Sequence, residues 1–200
     1  GKVVELCRQE ERSPYDIQPL GFYIMSKSLM AELVRRCAAE GGQELFADGI
    51  IKNLSSLKVS VFRHTGYAAR VDSIAAYFQH QLELLHPSVW QELFFRYGIV
   101  YTKVKDEAPA KYKQQAVVRN SLVANGCIIE GTVENSILSR SVVVEEGAVV
   151  RNSIISQNVR IGPQARLSQV LCDKDSAVSA GRCLNGSLHS PFIVRKGAVV

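Results

Sequence analysis

The sequence holds no uninterrupted apolar run longer than a handful of residues, so it offers no membrane-crossing helix. Nothing near its start has the basic-then-apolar shape of a secretory leader. The chain opens on Gly1 instead of Met, and GKVVEL reads at once as a strand, which points to a piece cut from a longer protein. Cysteine is sparse and scattered. Cys7, Cys37, Cys127, Cys172 and Cys183 form no C-x-x-C and no cluster with histidine, which argues against a disulfide framework or a zinc site and for a reducing, cytoplasmic setting. Charge is also short of any bias. Residues 1–113 carry 15 basic against 13 acidic side chains and residues 114–200 carry 9 against 6, so the net +5 is spread thinly and no basic block invites nucleic acid. With 200 residues, 46% hydrophobic and 22% charged, the chain can bury a real core without staples.

What is present divides in two. Residues 1–101 are punctuated as an α/β domain. Val3–Leu6, Gly21–Met25 and Lys58–Arg63 read as strands. Ser26 is placed to cap a helix carrying Leu29, Met30, Leu33, Val34 and Cys37, stopped by Gly41-Gly42. A second helix fits Glu44–Leu54. A third, capped by Asp72, runs through Ile74, Tyr77, Phe78, Leu82 and Leu85 to His86-Pro87, and Trp90, Leu93 and Phe94 mark a short fourth. Residues 102–113 are polar, charged and contain proline, as a linker or strap does.

Residues 114–200 change character and repeat. Val118-Arg-Asn-Ser-Leu-Val123, Val133-Glu-Asn-Ser-Ile-Leu138 and Val150-Arg-Asn-Ser-Ile-Ile155 are one phrase three times, and Leu167-Ser-Gln-Val-Leu-Cys172 is a worn fourth. Their starts lie 15, 17 and 17 residues apart. Ile137, Val143, Val149, Ile155, Ile161 and Leu167 follow at an unbroken period of six, and Val144-Glu-Glu-Gly-Ala-Val and Ile161-Gly-Pro-Gln-Ala-Arg have an aliphatic first and a small fifth position. A helix cannot sustain period six, and a hairpin sheet would show period two. Three short flat sides per coil, each sending aliphatics inward, produce it, and a coil of 17 then has one five-residue side. The expectation is a parallel β-helix whose hand the period does not reveal.

These features together resemble the ADP-glucose pyrophosphorylases (glucose-1-phosphate adenylyltransferases). Gly21-Phe-Tyr-Ile-Met is similar to that family's G-I-Y-V-F strand, Leu45–Leu54 to its D-F-x-x-x-x-I-P helix, and Tyr67–Tyr77 to its W-R-D-V-G-T-x-x-A-Y segment. Ser121-Leu-Val-Ala-Asn-Gly-Cys-Ile-Ile resembles its S-L-V-x-x-G-C-x-I entry into the β-helix. The resemblance implies the C-terminal part of a nucleotidyltransferase-like, Rossmann-type α/β domain (1–101), a strap (102–113) and a left-handed parallel β-helix of hexapeptide repeats (114–200) that mediates oligomer formation.

Two departures matter more than the matches. With Ile74-Ala-Ala-Tyr77 aligned on the family's L-E-A-Y, Arg70 falls where the family keeps the aspartate that holds magnesium. Magnesium takes hard oxygen ligands, and a guanidinium offers a fixed positive charge and no acceptor. The other register slides Asp72 into that role at the cost of two extra residues between strand and helix. Near the N-terminus, Arg8 and Gln9 stand where the family's F-V-E-K-P places Glu and the sugar-phosphate Lys. The resemblance therefore leans to the non-catalytic D-type subunit of glycogen biosynthesis, which pairs with a catalytic subunit of the same fold and modulates it. Magnesium belongs to the family reaction, no cofactor is expected in this chain, and the family's Gly-rich nucleotide loop is absent from it. An active adenylyltransferase with an unusual metal site is the other reading.

Further candidates carry less. Hexapeptide acyltransferases use a coil-borne histidine as base, and His64, His80, His86 and His189 all fall outside the coils between Val117 and Val178. Arg119 and Arg151 occupy equivalent places in the repeated phrase and, with Arg160 and Arg166, suit an anionic metabolite effector. Charges that keep a repeat surface soluble are the plainer reading, there and for Lys103, Lys105, Lys111 and Lys113. Asp173 and Asp175 read as turn formers. Pro191–Val200 adds a last strand that caps the stack or pairs with another subunit.

Overall fold

The computed structural model describes residue 3, residues 19–96, residues 98, 100 and 101, and residues 105–200. The chain divides into two compact units, residues 1–66 and 67–200.

In the first unit, helix α1 (Lys27–Ala39) starts as the sequence predicts: the Ser26 hydroxyl accepts the Leu29 N–H at 3.3 Å. Gly41, at φ +70°, turns the chain out of the helix, and the Gly42 N–H closes it onto the Cys37 carbonyl at 2.8 Å. The helix buries Leu33 and Cys37 against a π-type helix, Leu45–Ile51, which buries Ala47 and Ile50. That element is shorter than the predicted Glu44–Leu54. Gly21–Met25 forms no strand, and Lys58–Arg63 is extended with one bridging position, Ser60, and a bond from the Val3 N–H to the Val59 carbonyl. Most of Val3–Leu6 lies outside the described residues.

In the second unit, α2 (Ile74–Glu83) is capped by Ser73, not Asp72: the Ser73 hydroxyl accepts the Ala76 N–H at 3.1 Å. A hydroxyl one residue later reaches the N3 amide, and Asp72 turns instead to Arg70, 3.6 Å away. The helix α3 (Pro87–Gln91) and a π-type turn, Glu92–Arg96, complete the expected fourth helical stretch.

Residues 111–200 form a three-sided parallel solenoid of fifteen short strands, β1 (Lys111–Tyr112) to β15 (Phe192–Val194). The first sheet stacks β1, β4 (Ile128–Ile129), β7 (Val143–Val144), β10 (Arg160–Ile161) and β13 (Ala177–Val178). The second stacks β2 (Val117–Arg119), β5 (Thr132–Glu134), β8 (Val149–Arg151), β11 (Arg166–Ser168) and β14 (Cys183–Asn185). The third stacks β3 (Leu122–Val123), β6 (Ile137–Leu138), β9 (Ile154–Ile155), β12 (Val170–Cys172) and β15. Every pairing is parallel and joins a strand to the next coil. The first strand begins at Lys111, inside the segment the sequence reads as a strap.

The inward positions run Leu138, Val144, Val150, Ile155, Ile161, Leu167, Cys172, Val178, Leu184, all buried, in steps of six, six and five. That confirms one five-residue side per coil. It also corrects the unbroken period of six: Ile137, Val143 and Val149 are half-buried first residues of their strands, whereas Ile155, Ile161 and Leu167 are inward second residues. A constant step of six slips phase once per 17-residue coil. Ala148 and Ala165, the small fifth positions, are fully buried. Each buried aliphatic contributes roughly 1.5–3 kcal/mol by leaving water.

The repeated Asn-Ser is a corner. Asn120, Asn135 and Asn152 adopt φ of +43° to +47°, a left-handed turn that asparagine tolerates, and Gln169 serves at +54° in the worn copy. The serine that follows bonds in two directions. Ser136 Oγ donates to the Glu134 carbonyl at 2.7 Å and accepts the Ser153 N–H, one coil on, at 3.1 Å. Ser121 and Ser153 repeat this, Ser153 accepting from Val170. The N–H that the corner would orphan is thereby satisfied inside the wall, and a carbonyl already bonded to the next coil gains a second donor.

The third sheet is apolar on both faces. Its outward column is Leu122, Ile137, Ile154, Leu171, Ile193 in register. Helix α2 lies against β9, and both Phe78 of the helix and Ile154 of the strand are buried. This packing explains why residues 67–101, grouped by their punctuation with the front domain, belong to the same compact unit as the coils.

Candidate functional site

Parallel register brings Arg119, Glu134 and Arg151 into one column on the outer face of the second sheet. Arg151 Nε lies 2.7 Å from Glu134 Oε2, and Arg119 Nη1 lies 3.7 Å from Glu134 Oε1. The two predicted effector residues do share a face, but a carboxylate sits between them. Glu134 is the residue that sequence reasoning passed over. Its signal is visible in hindsight: the second phrase reads Val-Glu-Asn-Ser where the first and third read Val-Arg-Asn-Ser, so stacking alternates +, −, +. One carboxylate against two guanidiniums leaves a single surplus positive charge on the column, enough to attract an anion weakly through water.

The remaining cations scatter. Arg160 is held by Glu145, Lys113 by Glu130, and Arg140 lies 3.8 Å from Glu107. Glu107 also accepts the Ser141 hydroxyl at 2.8 Å, tying the approach to the solenoid onto a corner. Arg166 makes no ion pair among the described residues, nor do Lys105 and Lys111; Lys103 lies outside them. Asp175 sits at a left-handed corner, φ +59°, accepting from Asn158 Nδ2 at 2.9 Å, and Asp173 accepts the Lys174 N–H. Both aspartates are turn formers, as their spacing predicts.

Arg70 is exposed in the stretch before α2, and its ion-pair partner among the described residues is Asp72. Arg8 and Gln9 lie outside the described residues. Histidine contributes nothing to the coils: His189 occupies the loop between β14 and β15, and His80 Nδ1 lies 2.9 Å from Glu83 Oε2. Glu83 also accepts from the Tyr67 hydroxyl at 2.5 Å and from Gln79 at 3.0 Å. Burial raises the Glu83 pKa, but these hydrogen bonds outweigh it and hold the carboxyl below its ordinary value. Burial, followed by the bond to Glu83, pushes Tyr67 up to about 12. This cluster fastens the start of the second unit to α2. Burial pushes the Cys172 thiol up to about 12 and raises that of Cys127 as well, while Cys183 alone among the described cysteines is exposed.

Over the first sheet lies an open groove of about 560 Å³, floored by Ile128 and Val143 and bounded by Lys111 and Arg160. No group of three or more histidine, cysteine or acidic residues among the described residues is placed to hold a metal ion, and no helix there is long and apolar enough to cross a membrane.

Comparison with known proteins agrees with this architecture. The family model described as GlmU-like, C-terminal hexapeptide, matches residues 106–186. The glycogen biosynthesis protein GlgD of Bacillus subtilis (strain 168) is 41% identical over 184 residues, 92% of this chain and 53% of that protein. GlgD of Geobacillus stearothermophilus is 46% identical over 118 residues, 59% of this chain and 34% of GlgD. The glucose-1-phosphate adenylyltransferase of Fervidobacterium nodosum is 29% identical over 190 residues, 94% of this chain and 46% of the enzyme. The chain thus spans about half the length of the curated relatives it matches. Over nine-tenths of its length the chain is similar to GlgD and to the glucose-1-phosphate adenylyltransferases.

Proposed function

We propose that the protein to which this chain belongs is a regulatory or structural subunit of glucose-1-phosphate adenylyltransferase. It would assemble in the cytoplasm with a catalytic subunit that makes ADP-glucose for glycogen synthesis. The observation that carries this reading is the higher identity to GlgD, 41% against 29% for the adenylyltransferase of similar coverage; the register that would set Arg70 in the magnesium-aspartate position supports it. The residues there do not fit magnesium. Arg70 brings a fixed positive charge, and the one carboxylate at hand, Asp72, is engaged by that same guanidinium.

In the same reading, residues 1–101 form the back of a nucleotidyltransferase-like Rossmann-type domain, the solenoid winds left-handed, and subunits meet through it. The Arg119–Glu134–Arg151 column is the place for an anionic metabolite, with its surplus charge as attraction and Glu134 as competitor. The test is ADP-glucose formation from ATP and glucose-1-phosphate with magnesium. The full-length protein alone should give no turnover, and activity or its regulation should change when the catalytic subunit is added. Robust turnover by the protein alone would overturn the assignment and restore the register that uses Asp72.

A further inference from the structure

The 15-residue coil has lost one turn, and the loss leaves a notch. Coil positions 111, 128, 143, 160 and 177 of the first sheet are separated by 17, 15, 17 and 17 residues. In the first, third and fourth coils a two-residue turn joins the first sheet to the second: Gln114-Gln115, Glu146-Gly147 and Pro163-Gln164. In the second coil Glu130 and Gly131 run straight across. A Cβ on Gly131 would sit 2.3 Å from the Ala148 carbonyl oxygen, so this short cut is open only to glycine.

From the third coil downward the turns stack through backbone bonds: Gln164 N–H to the Glu146 carbonyl at 3.0 Å, and Gly181 N–H to the Pro163 carbonyl at 2.9 Å. The missing turn breaks this ladder. The Gln114 carbonyl above and the Gly147 N–H below are the corresponding atoms on either side of the gap, and neither has a backbone partner among the described residues. The flanking turns stand two coil spacings apart, about 9–10 Å. Between them is a cleft of about 440 Å³ lined by Lys111, Lys113, Gln114, Gln115, Glu130 and Glu146.

We propose that this notch binds a neutral polyhydroxylated ligand, a sugar ring of the glucose type, in the place of the missing turn. The lining supplies two ammonium groups, two carboxylates and two amides, so its formal charge is zero and a phosphate gains no net attraction. Lys113 and Glu130 pair with one another, which leaves the Lys111 ammonium and the Glu146 carboxylate as a separated donor and acceptor. A hydroxyl both donates and accepts, so a ring bearing several can answer the open carbonyl, the open N–H and these side chains together. The volume falls within the range of small-ligand sites. An open cleft with a polar lining implies millimolar affinity.

The test is a backbone chemical-shift titration of the whole chain with maltose, glucose and glucose 6-phosphate. Maltose and glucose should shift the amides of residues 113–116, 130–131 and 146–147. Glucose 6-phosphate should bind no more tightly than glucose. Inserting Glu-Gly between Glu130 and Gly131, which rebuilds the turn of the third coil, should weaken binding by about tenfold or more. Should that insertion fail to fold, Glu146→Ala, a surface change, should weaken it severalfold while leaving the spectrum elsewhere intact. The proposal is overturned by an absence of shifts at these amides. It is equally overturned by tighter binding of the phosphorylated sugar, by unchanged binding in the variants, or by the notch amides responding only to self-association of the chain.

Discussion

The buried serine ladder sets up a stringent test. In Ser153→Ala the hydroxyl that accepts the Val170 N–H at 3.1 Å disappears, and Val170 is fully buried, away from water that could replace it. The Arg151 carbonyl, which receives the hydroxyl proton at 2.6 Å, keeps a second donor, the Gln169 N–H at 3.1 Å. The expected loss is therefore that of one orphaned buried donor, about 1–3 kcal/mol. Urea unfolding followed by circular dichroism should show a lower midpoint at unchanged slope. Ser121→Ala is the control. Ser121 makes the same two bonds but sits half-buried in the first coil, where water can replace the hydroxyl, so its cost should be less than half as large. A Ser153→Ala loss below about 0.3 kcal/mol, or equal losses at the two sites, would refute the view that these hydroxyls satisfy the corner.

Glycine replacement separates crowding from torsion. Gly131→Ala drives a methyl into backbone oxygen, whereas Gly181→Ala meets nothing within 4 Å and suffers only its φ of +68°; the first should lose more than the second, which should cost about 1–2 kcal/mol in thermal unfolding. Alkaline titration should expose Tyr67. Its folded pKa is raised from 10.0 to about 12, so stability present below pH 10 is lost as pH rises towards 12, and Tyr67→Phe should remove part of that loss. Thiol labelling of the native chain should modify Cys183 ahead of Cys37, Cys127 and Cys172, and rapid labelling of Cys172 without unfolding would contradict its burial.

The solenoid was legible because each coil repeats the same local demands. Valine, left-handed Asn, bonded Ser and an inward aliphatic recur at 15 or 17 residues, and stacking needs no information from distant sequence. The outward column of the third sheet was harder to see. Leu122-Val123, Ile137-Leu138 and Ile154-Ile155 are aliphatic doublets in which one residue faces in and its neighbour faces out. Doublets of this kind mark a wall apolar on both faces, but the helix that covers it at Ile154 is some seventy residues upstream of β9 and nothing local announces it. The candidate arginines were found by equivalence within the repeat, whereas Glu134 between them was missed because it breaks that equivalence. The notch follows from one shortened interval, and its consequence for backbone bonding appears only once the neighbouring turns are seen stacked. In the first unit, the alternation at Lys58–Arg63 corresponds to one bridging position, Ser60, and the Val3–Val59 backbone bond.

Because every strand of the coils bonds only to the coil before and the coil after, the wall behaves mechanically as a wound ribbon. Pulled by its two ends, such a body need not break as a whole. A terminal coil can peel while the rest keeps its bonds, and each 17-residue coil released lengthens the chain by roughly 5 nm. Force spectroscopy would then record a train of small, nearly equal steps, with a shorter one where the 15-residue coil lets go and a delayed one where α2 clasps the middle of the stack.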